Sequence, residues 1–176
     1  MIYPPSSIGA HVSICPNHIV GRTVDIRTRG YVALAGTFGY ELDITKVSDE
    51  DKEIMRRQIE DYNRFGHLVR EGDYYRITSV GDMVKKYKKD SSASWMFVSK
   101  DRSEALLTYI QERGSANRFS EIIKLEGLDE KVIYSLDDGR KYSGEELMRL
   151  GFVVDKLYGD GVGRMYHFVA NEKRGY

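Results

Sequence analysis

The chain has 176 residues, 41% of them hydrophobic, and its 27 basic and 27 acidic side chains cancel to a formal net charge of zero. That length suits one or two small domains with a substantial core, and the hydrophobic, Tyr-rich composition argues against disorder. The charge balance leaves no basic excess for nucleic acid and no cationic amphipathic stretch for a membrane surface, and no apolar run approaches the roughly 20 residues that cross a bilayer.

Taken in order, MIYPPSS shows no charged region leading into a hydrophobic core, so no secretory signal is read. Tyr3 to His18, YPPSSIGAHVSICPNH, reads as a strand end running into a shaped loop. The prolines lack backbone donors and fix φ, while Gly9 permits unusual backbone. Cys15 is the one cysteine, so no intrachain disulfide forms, as suits a reducing compartment. It is read as a small packed hydrophobe rather than a nucleophile.

Thr23 or Asp25 is a candidate cap for a helix over Arg27 to Ala35, which Gly36 stops. Phe38 to Ile44 reads as a short strand. From Asp49 to Arg70 the spacing predicts a long amphipathic helix. Ser48 caps it, acids fill its first turn, and Ile54, Met55, Ile59, Tyr62, Phe65, Leu68 and Val69 form its apolar face. Glu53 with Arg57 and Glu60 with Arg64 stand four apart on the outer face. The first 70 residues therefore read as a βαβα unit with parallel strands.

After Gly72 the pattern changes to short strands: Tyr74 to Thr78, Trp95 to Ser99, Ala105 to Ile110, Ile122 to Leu125, Val132 to Leu136 and Arg164 to Val169. Asp137, Asp138 and Gly139 make a hairpin turn, and Ser143 to Leu150 is a helical turn or a loop. The fold class expected is α/β plus all-β, with residues 1–72 as one domain and residues 73–176 as a small antiparallel β-sandwich. Lys85, Lys86, Lys88 and Lys89 cluster around Tyr87 and are read as a solvated loop rather than an anion site.

The segments YPPSSIGAHVSICPNH, RTRGYVALAGTFGYELDITKVS, DYNRFGHLVREGDYYRI, SWMFVSKDRSEALLTYI, IIKLEGLDE and YSGEELMRLG, in that order, resemble the C-terminal part of glycoside hydrolase family 36, the microbial α-galactosidases. The resemblance implies that residues 1–72 are the last two βα units of a (β/α)8 barrel. It implies a cytoplasmic parent enzyme that hydrolyses terminal α-linked galactose from sugars such as melibiose and raffinose, with retention and without a cofactor. Family members are often oligomeric, so a homo-oligomeric parent is expected. The aspartate nucleophile and aspartate acid/base of the family belong to motifs not found in these residues, so no catalytic residue is assigned within the chain. The alternative is a non-catalytic carbohydrate-binding or assembly module.

No local carboxylates replace that pair. Asp49, Glu50 and Asp51 suit a helix N-terminus, Asp137 and Asp138 a turn, and the adjacent Glu145 and Glu146 point apart. Glu41 and Asp43, two apart on the expected strand, share a face and are read as structural. The four histidines, His11, His18, His67 and His167, show no metal-ligand spacing. His67 suits a helix C-terminus, and His167 is expected to face outward or to bond locally. His11, Asn17 and His18 lie in the loop after the penultimate barrel strand that the resemblance implies, on the face where barrel sites sit. They are the candidate pocket-shaping residues; the alternative is that they only hold their loop together. Gly159 to Gly163, GDGVG, is a turn rather than a dinucleotide fingerprint, and Trp95 and Tyr109 are read as core rather than a sugar platform.

Overall fold

The computed structural model describes residues 3–78, 92–114 and 120–173; the Lys85 to Lys89 cluster lies outside them. The chain is built of α-helices and β-sheets. Strand β1 (Gly9–Ser13) and strand β2 (Thr37–Glu41) pair in parallel, with Gly9 opposite Thr37 and Ser13 opposite Glu41. Helix α1 (Ile26–Ala33) crosses between them, and helix α2 (Asp49–Glu71) follows. β1 therefore lies inside the stretch expected to be a loop. Its five residues GAHVS carry little strand pattern of their own, and the pairing with β2 makes them a strand.

The local signals of this region act as expected. The Asp25 carboxylate accepts from the Arg27 amide at 2.7 Å and caps α1. Gly36 ends that segment where the backbones crowd, since a Cβ there would sit 2.6 Å from the Ile8 carbonyl oxygen. Ser48 Oγ accepts from the Asp51 amide at 3.1 Å and caps α2. Ala10, Val12, Phe38 and Tyr40 turn one face of the strand pair to the helices, packing with Ile26, Ala33, Ile54 and Met55. Because strand side chains alternate, the opposite face carries Gly9, His11, Ser13, Thr37, Gly39 and Glu41, none of them apolar beyond glycine.

The remaining strands are β3 (Asp73–Thr78), β4 (Ser92–Val98), β5 (Glu104–Gln111), β6 (Glu121–Ile123), β7 (Val132–Leu136), β8 (Lys141–Ser143), β9 (Phe152–Val154) and β10 (Val162–Lys173). Six form an antiparallel sheet in the order β3-β4-β5-β10-β7-β8, and β6 pairs with β9 in a smaller sheet. The six expected strands appear with ends shifted by a few residues, Val132–Leu136 coinciding, while β8 and β9 were not expected. Gly139, at φ +87°, closes the β7–β8 turn. Ser143 to Leu150 resolves as helix α3 (Gly144–Arg149), capped by Ser143.

The main core, with Leu107, Tyr134, Phe152 and Phe168 at its centre, lies on one side of the large sheet. On the other side, Phe97 and Leu106 meet Phe65, Leu68 and Val69 of α2. β5 is thus covered on both faces, which matches its unbroken run of buried residues in place of an alternating one. α2 joins the two regions, with its first half on the parallel pair and its second half on the sheet. Among the described residues no helix is long and apolar enough to cross a membrane.

Candidate functional site at the ends of the parallel strands

β1 ends at Ser13 and leads into the loop that carries Cys15, Asn17 and His18. Asn17 does much to shape that loop. Its side-chain oxygen accepts from the amides of Ile19 (3.1 Å) and Val20 (3.0 Å), while its own amide donates to Arg22 O (2.9 Å). Gly21 takes φ +65° to close the turn. This geometry accounts for Asn17 as a loop-holding residue. His18 is exposed at the tip.

His11 is placed differently from the expectation: it stands within β1, not in the loop, because its backbone belongs to the β1–β2 ladder. Its Nε2 lies 2.8 Å from Glu41 Oε2, giving it a carboxylate partner across the strand pair. Glu41 and Asp43 do not share a strand face, since β2 ends at Glu41. Asp43 instead caps a short 3-10 turn over Ile44–Lys46, and hydrogen bonds from the Thr45 hydroxyl and amide, with one from Lys46, hold its carboxyl below the usual range.

Two contacts of this site carried no sequence signal. Arg29, on α1, donates to Ser13 O (2.5 Å) and Val24 O (3.0 Å), tying the helix to the end of β1. Glu41 meets His11 only because parallel pairing aligns segments some thirty residues apart. Beside this end of β1 a cleft of about 720 Å³ runs between α1 and the large sheet, lined by Cys15, Arg29, Val32, Ile110, Arg113 and Asp160 among others. Cys15 is half-buried, and its Sγ donates to Val24 O at 3.6 Å.

The other titratable groups serve structure. His167 is a correction: its side chain is 6% exposed, not outward-facing, and its Nε2 lies 2.6 Å from Glu104 Oε1. Glu104 also binds His67 Nε2 at 2.8 Å through its other oxygen. Arg64 reaches away from Glu60, its expected partner, to Asp137 (3.1 Å) and to His167 Nδ1 (3.0 Å). The same Nδ1 also lies 3.4 Å from Asp137 Oδ1, so Arg64 and Asp137 meet at one ring nitrogen, while Nε2–H donates to Glu104. Partial burial raises the Asp137 carboxyl, but the hydrogen bond and charge of Arg64, with a smaller contribution from His167, outweigh it and leave it below the usual range. These five side chains join α2 to β5, β10 and the β7–β8 turn.

Asp138 pairs with Arg140, Asp49 with Lys52 and Glu145 with Arg149. Tyr109 is buried and donates to Glu121 at 2.6 Å, and Trp95 packs beside Phe97 and Leu106, as a core reading requires. Gly159 and Gly161, both at positive φ, form the turn before β10. Among the described residues no group of three or more His, Cys, Asp or Glu side chains is arranged to hold a metal.

Two family models match the chain in succession: Melibiase over residues 1–72 and the glycosyl hydrolase family 36 C-terminal domain over residues 92–168. α-Galactosidase AgaA of Geobacillus stearothermophilus is 40% identical over 170 residues, which cover 97% of this chain and 22% of that protein. α-Galactosidase Mel36A of Lactobacillus acidophilus is 35% identical, again covering 97% of this chain and 22% of that protein. A crystal structure of an AgaA variant with raffinose bound superposes with a TM-score of 0.90 at 39% identity, over 97% of this chain and 23% of that one. The chain therefore spans about a fifth of the length of these relatives.

Proposed function

The chain belongs to glycoside hydrolase family 36, and on that premise we propose that it is the C-terminal part of a longer retaining α-galactosidase. The whole enzyme releases terminal α-linked galactose from oligosaccharides such as melibiose and raffinose, in the cytoplasm and as a homo-oligomer. Residues 1–72 supply the last two strand–helix units of a (β/α)8 barrel, and residues 73–176 the β-sandwich that follows it.

The observation that carries this reading is the parallel β1–α1–β2–α2 unit lying within the segment that matches the Melibiase model. Its strand pair buries one face against helices and leaves the other polar and open, as two strands taken from a closed barrel would. Residues at the C-terminal ends of barrel strands build the active site in such folds. His11, Asn17 and His18 accordingly shape the substrate pocket from β1 and its loop. Hydrolysis with retention needs a nucleophile and an acid/base about 5 to 5.5 Å apart. Among the described residues, Asp49, Asp137, Asp138 and Glu145 are engaged in ion pairs, and in this reading both catalytic groups come from preceding strands of the barrel.

The test compares hydrolysis of a chromogenic α-galactoside by these 176 residues alone with hydrolysis by the longer protein that contains them. The longer protein is expected to be active and the chain alone inactive. Activity of the chain alone, abolished by replacing one of its own carboxylates, overturns the reading.

A further inference from the structure

We propose that Glu41 binds a sugar hydroxyl in the pocket and that His11 is its positioning residue; this rests on the galactoside-hydrolase reading above. Both stand on the polar face of the strand pair, opposite the helices. Glu41 is the last residue of β2 and lies in register with Ser13, the last of β1, so its carboxylate belongs to the end from which the Ile14 to His18 loop departs. His11 is one pleat deeper and reaches up to it: Nε2 to Oε2 is 2.8 Å.

Neither nearby cation competes for Glu41. Lys46 pairs with Asp43 at 3.2 Å, and Arg29 is spent on backbone carbonyls. Among the described residues, His11 is the partner of Glu41 Oε2, and Oε1 has none. The side chains are 51% and 74% exposed for His11 and Glu41, so as a surface ion pair they add little stability, about 0–1 kcal/mol. The arrangement is better suited to recognition: one carboxylate oxygen is held while the other stays free to accept a charge-assisted hydrogen bond from an O–H. A neutral hexose offers such donors, whereas an acidic sugar would be repelled. In the closed barrel this face turns inward, which removes the screening water and strengthens the bond.

The experiment uses the full-length protein that carries this chain, with Glu41→Gln, Glu41→Leu, His11→Ala and the Glu41→Leu/His11→Ala double variant. Kinetics are measured on a chromogenic α-galactoside and on its singly deoxygenated analogues. Glu41→Leu is expected to raise KM about tenfold or more with kcat little changed, the size of a lost charge-assisted hydrogen bond. One deoxy analogue is expected to be handled equally by wild type and Glu41→Leu, a signature that a merely structural role would not give. His11→Ala is expected to raise KM less, and to add nothing once Glu41 is leucine. If Glu41→Leu fails to fold, the isosteric Glu41→Gln carries the same comparison. Unchanged KM in an enzyme that hydrolyses the galactoside overturns the role of Glu41 alone. Additive effects of the two substitutions overturn the positioning role of His11. A full-length protein without α-galactosidase activity overturns the functional reading and this inference with it.

Discussion

In the large sheet, β5 is covered on both faces, by the main core on one side and by α2 on the other; the parallel pair β1–β2 is covered on one face only. Among the described residues, the main core gathers sixteen buried apolar side chains, against five between the strand pair and its helices, and this decides where stability resides. Ile14, Ile19, Val20 and Val32, around the strand pair, remain exposed. The antiparallel region closes its own core. The parallel region is a two-stranded layer with helices on one face and polar side chains on the other.

The largest effects should separate the two regions. Leu107→Ala, at a fully buried position, is expected to cost about 2–5 kcal/mol in chemical denaturation. Val12→Ala in the smaller core should cost roughly 1.5 kcal/mol, from two methyl groups at about 0.8 kcal/mol each. Equal losses would break the contrast. Gly30→Ala tests the tightest point of the parallel region, because a Cβ there would lie 2.2 Å from Gln58 Nε2. It should displace the buried Gln58 from Ile26 O and Tyr40 and cost about 1–3 kcal/mol.

The join between the regions is tested by Glu104→Leu, which leaves the His67 and His167 donors without their acceptor. A loss of about 1–3 kcal/mol is expected, and His67→Ala should cost less in that background than alone. Independent effects would mean that α2 is held to the sheet by apolar contact only. Ser48→Ala removes the α2 cap and should cost about 1 kcal/mol.

The smallest effect concerns the β4–β5 turn. Hydrogen bonds from the Ser103 hydroxyl and amide and the Ser99 hydroxyl lower the Asp101 carboxyl from 3.8 to about 2. A folded-state pKa below the unfolded one stabilises above the unfolded value, so this contribution is present above about pH 4 and is lost as pH falls toward 2. Asp101→Asn should flatten the stability profile in that window and leave it unchanged in shape at neutral pH.

Elements whose signals are local were legible in the sequence. α2 combines a serine cap, an acidic first turn and an apolar face that recurs every turn, so it forms from Asp49 to Glu71, within one residue of its reading to Arg70. β7, VIYSL, is a short β-branched and aromatic run that leads into a glycine turn, and it coincides with its reading. The loop role of Asn17 was also open to view, because a side-chain amide bonds its own neighbouring backbone. In each case the interacting groups lie a few residues apart, and short-range chemistry is written in the order of residues.

Whatever joins distant segments was decided by the tertiary structure. GAHVS becomes a strand only against Thr37–Glu41, and that register alone brings His11 to Glu41. His167 is buried because α2 lies over β10, and Arg64 leaves its helical neighbour Glu60 for Asp137, 73 residues away. A charged side chain on a helix has an obvious partner one turn away and a better one wherever packing supplies a less hydrated carboxylate. Which of them it takes depends on how the helix docks, and that is set by the summed burial of apolar faces rather than by any spacing along the chain.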